Sequence, residues 1–358
     1  MLPDGNPLDH AENLIAQDRA KDAADFLVAL IAEGRGGLLA RLTLARALGL
    51  SGDSAGAIAA AREAVSLNPN VPAAIIALGE ALLAGNHLPT AIGEFQRALR
   101  LDPDNAQARF QLGTAWLEAG EPEKALENFD ALAEGAIADA PKLIAKAHAM
   151  QQAQRSNPNY VRHLFDQFST DYDVRMRGQL GYRAPEILRE MAALVLPRQQ
   201  GLSILDLGCG TGLAGAVFRE MASRLDGIDL SLAMIAKAKS LGIYDDLKVG
   251  DIETGLSAFE RIYDLILAAD TVVYLGDLAK LFAPVSAHLL EGGYFLFTAE
   301  KKMGGGFELG PKRRWRHSES YLRDAAAHAH MQISGLIACS PRIEAGQPVE
   351  GYAVALSR

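Results

Sequence analysis

Ile204-Leu205-Asp206-Leu207-Gly208-Cys209-Gly210-Thr211-Gly212 decides how this chain is read. An apolar run ends at Leu207, glycines follow at alternate positions, and Leu213 to Met221 has the composition of a helix. A strand, a tight glycine turn and a helix N-terminus together let backbone approach a nucleotide-like ligand. Glycine has no Cβ to hold the ligand off, and the first helical N–H groups point toward it. Gly210 to Gly215 also spells G-x-G-x-x-G, the dinucleotide fingerprint, but that pattern starts directly after its strand. Here the first glycine after the strand is Gly208, and the pattern from Asp206 is D-x-G-x-G-x-G.

That pattern resembles the first motif of the class I S-adenosylmethionine-dependent methyltransferases, a resemblance that covers residues 160–358. Dinucleotide binding and a degenerate domain that binds nothing are the alternatives. The segments downstream extend the pattern. Arg224 to Leu230 reads as a second strand, and Asp229 near its end suits ribose hydroxyls of either cofactor. Leu247 to Ile252 reads as a third strand with Asp251, Ile262 to Ala269 as a buried fourth before Asp270, and Gly293 to Thr298 as a fifth. Met331 to Ala338 and Tyr352 to Leu356 form a closing pair at the sheet edge. Helical stretches (213–221, 232–241, 278–290, 318–329) alternate with these strands, which predicts a doubly wound, Rossmann-like α/β domain.

The resemblance implies S-adenosyl-L-methionine as cofactor, with S-adenosyl-L-homocysteine as product. It implies a site built from Asp206, Gly208, Gly210, Gly212, Asp229, Leu230, Asp251, Ile252 and Ala269. In the family an acid at the place of Asp251 accepts the adenine amino group, and the residue at Ile252 packs on the ring. Each acid also has a plainer reading. Asp206 can bond loop amides, Asp229 can cap a helix beside Ser231, and Asp251 can be a turn residue. Binding is favoured because all three fall at the carboxyl ends of predicted strands, where open α/β sheets take ligands.

Tyr160 to Leu188 carries aromatic residues at helical spacing. It resembles the N-terminal helices of small-molecule methyltransferases of the biotin and ubiquinone pathway type, which lid the cofactor and line the acceptor pocket. The resemblance implies lid helices over 158–195, with Tyr172 near the methionine end of the cofactor. Phe165 and Phe168 fit either a lid or a core stripe. A sulfonium makes its methyl group electrophilic, so the protein mainly aligns the acceptor and excludes water. A base is needed only where the acceptor's proton must leave early. Candidate catalytic residues are Asp270, Tyr274 and His317, with Glu300 after the fifth strand; His317 reads equally as part of a helix start. No Asn/Asp-Pro-Pro-Tyr motif is present, which disfavours planar amides and base amino groups as acceptors, and no metal is expected. The basic run Lys312 to His317 follows the glycine-rich stretch Met303 to Phe307. It reads as a flexible lid clamping an anionic or carboxylate-bearing acceptor, or as a solvated loop.

The first half of the chain repeats itself. Asn68-Pro69 recurs as Asp102-Pro103, and Leu44-Ala45, Leu78-Gly79 and Leu112-Gly113 share the 34-residue offset. So do Ala23, Ala57, Ala91 and Ala125, and Phe95 with Phe129. A helical period of 34 with small residues and a closing Pro resembles the tetratricopeptide repeat. Three repeats are clear (38–71, 72–105 and 106–138), a degenerate one covers 4–37, and Pro141 to Arg155 reads as a capping helix and linker. The domains are thus an all-α helical-repeat domain over 1–155 and the methyltransferase-like domain over 156–358. The resemblance implies a groove lined by the first helix of each repeat, with Leu39, Leu42, Ile76, Leu83, Phe110 and Leu117 among its positions. That groove takes an apolar protein partner or packs on the methyltransferase domain.

The chain has 358 residues, 35 Lys and Arg against 44 Asp and Glu, and only Cys209 and Cys339 as cysteines. Residues 1–155 hold 20 acidic and 13 basic side chains. Such a surface repels phosphate backbones, so nucleic acid is an unlikely partner. No apolar run suits a membrane span, and Met1 to Gly5 has no secretory character, which points to the cytoplasm. Together the halves resemble predicted repeat-containing methyltransferases of bacteria. Three functions are open: methyl transfer to a free small molecule or carrier-bound acceptor, methylation of a protein recruited by the repeats, and a non-enzymatic assembly role.

Overall fold

The computed structural model describes residues 6–169, 171–310 and 313–358, with the backbone alone at 167, 168 and 179. Met1 to Gly5, Thr170, Lys312 and the packing of Phe168 lie outside what is described. The chain divides into two compact units, Met1–Gln152 and Ala153–Arg358.

The first unit is all helix: α1 (Pro7–Ala16), α2 (Ala20–Ala32), α3 (Gly37–Leu50), α4 (Ser54–Leu67), α5 (Pro72–Ala84), α6 (Leu88–Leu101), α7 (Ala106–Glu118), α8 (Pro122–Asp130) and α9 (Ala140–Gln152). The 34-residue repetition has a steric cause. An added Cβ at Gly79 would stand 2.4 Å from the Phe95 ring, and one at Gly113 would stand 2.5 Å from Phe129. Each glycine therefore admits the aromatic ring of the next helix against its backbone, and Ala57, Ala91 and Ala125 are wholly buried. Asp53 and Asn105 cap α4 and α7 by accepting from the backbone N–H of Gly56 and Ala108, both at 2.9 Å. The open groove is lined by Leu42, Arg46, Ala73, Ile76, Glu80 and Gln107, among others. Leu117 is not part of it: at 1% exposed it packs inward with Leu126 and Phe129.

The second unit is a nine-stranded sheet. Its strands are β1 (Leu202–Leu207), β2 (Ala222–Asp229), β3 (Asp246–Val249), β4 (Tyr263–Ala268), β5 (Leu289–Lys301), β6 (Phe307–Leu309), β7 (Trp315–His317), β8 (Gln332–Cys339) and, after the ribbon β9 (Ile343–Glu344) with β10 (Gln347–Pro348), β11 (Gly351–Ser357). The order is β3-β2-β1-β4-β5-β11-β8, parallel through β5 and antiparallel at β11 and β8. The helices are α10 (Pro158–Phe168), the single turn α11 (Tyr172–Val174), α12 (Ala184–Val195), α13 (Leu213–Phe218), α14 (Leu232–Ser240), α15 (Ala279–His288) and α16 (Glu319–His328). Apolar cores cover both faces, one around Phe282, Phe295 and Phe297 and the other around Leu188, Phe218 and Leu225, as a doubly wound sheet requires.

One expectation fails here. Residues 303–310 and 313–317 do not form a flexible lid. Phe307 pairs with His317 and Leu309 with Trp315, and β7 adds in parallel to β5. Gly304 and Gly306, at φ +83° and +73°, make the turn, while buried Trp315 and His317 anchor the hairpin. His317 therefore ends a strand, and Ser318 caps α16. Among the described residues no helix is long and apolar enough to cross a membrane, and no group of side chains could hold a metal ion.

Candidate functional site

The site forms where β1 and β4 separate their connections, at the carboxyl ends of the parallel strands. Gly208 and Cys209 both donate to the Ile228 carbonyl, at 2.8 and 3.0 Å, which folds the chain back at the end of β1. Gly208 sits at φ +67°, and a Cβ there would lie 2.5 Å from Thr271, so only glycine fits. Gly210, at φ +54°, faces open space. Asp229 organises the loop: its carboxylate accepts from Gly210 N–H at 2.9 Å and Ser231 N–H at 2.8 Å. Burial outweighs those two bonds and pushes its pKa up to about 6.

A cleft lies in front of this loop. Its wall contains Tyr172, Gly208, Gly210, Asp229, Leu230, Asp251, Ile252 and Ala269, together with Asp270 and Tyr274. Asp206 and Gly212 do not line it. Asp206 is buried and takes the Tyr244 hydroxyl at 2.8 Å. Burial raises its pKa to about 7. Gly212 heads α13 at φ +97°, beside Leu241. Both shape the loop from behind.

Sequence reasoning missed Arg155. It bonds Asp251, at 2.6 Å for the shorter contact, and also Glu253, so the Asp251 carboxylate is held in place by residue 155. The residues over the cleft are fastened to the loop below. Asp166 accepts from Ser231 Oγ and Asp173 from Thr211 Oγ1, both at 2.5 Å, and Tyr182 donates to the Ala269 carbonyl at 3.3 Å. Phe165 meets Tyr172 and Tyr274 edge-on, with ring centres 6.0 and 5.7 Å apart. Burial raises the pKa of both phenols.

A second cavity adjoins the first, and Phe165, Tyr172, Asp270 and Tyr274 line both. Its remaining wall is Leu164, Met176 and Leu180 on the apolar side and Arg175, Arg314 and Arg342 on the charged side. Asp270 follows β4 with φ +58°, and its N–H donates to Thr298 Oγ1 at 2.8 Å. Its carboxylate pairs with Arg342, which is 1% exposed and also bonds Glu300 and Glu344. Glu300 is thus a structural partner of Arg342 and lines neither cavity. His317 lies apart from both. It is fully buried, its Nε2 meets the Gly276 carbonyl at 3.0 Å, and it stacks on Tyr321. Burial lowers its pKa to about 4, so the ring stays neutral.

A family model described as a methyltransferase domain matches residues 176–335, and one described as a tetratricopeptide repeat matches 76–141. Ubiquinone biosynthesis O-methyltransferase from Methylobacterium sp. (strain 4-46) is 28% identical over 113 residues, which is 30% of this chain and 45% of that protein. Malonyl-[acyl-carrier protein] O-methyltransferase from Erwinia billingiae is 30% identical over 109 residues, 30% of this chain and 43% of the relative. The chain therefore spans less than half the length of these curated relatives. A solved structure of magnesium protoporphyrin IX methyltransferase from Synechocystis with bound S-adenosylhomocysteine covers 56% of this chain and 99% of its own, at 16% identity and a TM-score of 0.44. The chain carries a methyltransferase domain over residues 176–335 and tetratricopeptide repeats over residues 76–141. S-adenosylmethionine is the cofactor. The cleft fits it: a glycine with open space before it, a buried acid on the loop, and the apolar faces of Leu230 and Ile252.

Proposed function

We propose that this protein transfers a methyl group from S-adenosylmethionine to a small-molecule or carrier-bound acceptor, with the repeat unit making protein contacts. The observation that carries this reading is the pair of adjoining cavities that share Phe165, Tyr172, Asp270 and Tyr274. Asp229 would hold the ribose, Asp251 and Ile252 the adenine, and the Gly208–Gly210 backbone the remainder of the cofactor. When bound, the cofactor supplies an activated methyl group. Tyr172, Phe165 and Tyr274 then exclude water and set the line of approach, which is the main catalytic demand. Tyr172 and Tyr274 stay protonated at neutral pH because burial disfavours the phenolate.

A second reading is that the repeats recruit a protein substrate. The open groove supports it: Arg46 pairs with Glu12, and Gln107 and Gln111 donate to Glu80, leaving small apolar residues between these polar points. The same proposal places the protein in the cytoplasm, on its cysteine use and its lack of a spanning helix among the described residues. The test mixes the full chain with methyl-labelled S-adenosylmethionine and an extract from cells lacking it. Label in small molecules supports the first reading. Label in macromolecules supports a carrier or protein substrate. Label in neither fraction, with cofactor bound, refutes methyl transfer.

A further inference from the structure

We propose that the second cavity binds the carboxylate of its acceptor and that this carboxylate oxygen takes the methyl group, giving a methyl ester. The inference rests on the methyl-transfer reading and adds the acceptor's chemical class.

Charge is the first argument. The cavity presents Arg175, Arg314 and Arg342, and Asp270 is its one acidic wall residue. Asp270 is already paired with Arg342. Arg342 is saturated, because Glu300 and Glu344 take its other faces. Arg314 is different: about a fifth of its side chain remains exposed. It pairs with Glu344, stands 3.9 Å from Glu300 and bonds the Tyr274 hydroxyl beside the cofactor cleft. A guanidinium has five donors, so Arg314 keeps N–H groups for an anion beside those contacts. Across from it, Leu164, Met176 and Leu180 suit a short hydrocarbon chain.

Among the described residues of the wall no side chain is placed to accept a proton. Asp270 is locked in its ion pair, and burial keeps the phenols of Tyr172 and Tyr274 protonated. His317 faces Gly276 and Tyr321, outside the cavity. An alcohol or another acceptor whose proton must leave early finds no group suited to take it among the described residues of the wall. A carboxylate needs no such step. An oxygen lone pair forms the O–CH3 bond as the S–CH3 bond breaks, and the bonding pair stays on sulfur. The sulfonium charge and the carboxylate charge disappear together, and no proton moves.

The test uses the full chain, methyl-tritiated S-adenosylmethionine and extract from cells lacking the protein, with extract alone as background. Products are treated with alkali, which releases methyl esters as volatile methanol and leaves N-, S-, C- and ether-linked methyl groups in place. The expected result is alkali-volatile label. It should fall at least tenfold in Arg314→Gln and recover in part in Arg314→Lys, with S-adenosylhomocysteine affinity unchanged in both. Alkali-stable label overturns the carboxylate assignment and leaves methyl transfer standing. Full activity in Arg314→Gln, or loss of S-adenosylhomocysteine binding in it, overturns the role of Arg314 as the anion's partner. No label at all refutes methyl transfer and this inference with it.

Discussion

Asp229 offers a prediction whose sign and size both come from the structure. Its carboxyl is buried and its pKa stands at about 6 against an ordinary 3.8. In the proposed site, ribose hydroxyls would donate to it best when it is ionised. Binding of S-adenosylhomocysteine should therefore weaken as pH falls through 6. At pH 5 the ionised fraction is about tenfold lower than at pH 7, a cost of ~1.4 kcal/mol in binding. In the free protein the sign reverses. The folded carboxyl holds a proton that the unfolded chain releases, so stability falls as pH rises from about 4 to about 6, by ~3 kcal/mol. Asp229→Asn removes the titration, and it leaves one acceptor oxygen for two backbone donors, Gly210 and Ser231. Loss of a charge-assisted bond of ~1.5–3 kcal/mol predicts binding roughly 10- to 150-fold weaker at pH 7. Calorimetric titration at pH 5, 6, 7 and 8 measures both effects, with Asp206→Asn as the control for the neighbouring acid. A wild-type affinity flat from pH 5 to 7, or the same slope in Asp229→Asn, refutes the reasoning.

Gly113→Ala drives a methyl group against Phe129 at 2.5 Å and should lose ~1–3 kcal/mol in chemical denaturation, with Phe129→Leu restoring part of the loss. Arg342→Met leaves Asp270 without its ion-pair partner and removes one partner each from Glu300 and Glu344, and the full chain should lose ~3–5 kcal/mol in the same assay. His317 has a folded pKa of about 4, below its ordinary 6.5, so its stabilising effect is complete above pH 6.5 and is lost as pH falls toward 4. His317→Gln should flatten that loss of ~3 kcal/mol in urea melts between pH 7 and 4 and keep methyl transfer at pH 8; an abolished rate would make His317 a base after all.

Local pattern made much of this legible. The glycine turn after Leu207 is required by positive φ at Gly208, Gly210 and Gly212 and by the backbone folding onto Ile228. The helical repeat showed itself because Gly79 and Gly113 must be small to admit Phe95 and Phe129, so sterics wrote the period into the sequence. Partnerships across long separations left no such trace. Arg155 meets Asp251 from 96 residues away, and Arg342 meets Asp270 from 72, so neither arginine differs locally from a surface residue. The hairpin of β6 and β7 was missed because three-residue strands among glycines are too short to show an alternating pattern. Leu117 was misplaced because a groove position and a buried one differ by a single step around the helix.

The central claim is that the cleft beside Gly208, Asp229 and Asp251 is built for S-adenosylmethionine and not for a dinucleotide. Calorimetric titration of the full chain with S-adenosylhomocysteine, and separately with NAD, tests it most directly. The account predicts saturable one-to-one binding of S-adenosylhomocysteine that is weakened by Asp229→Asn, and no saturable binding of NAD. Tight NAD binding, or no binding of S-adenosylhomocysteine, would contradict it.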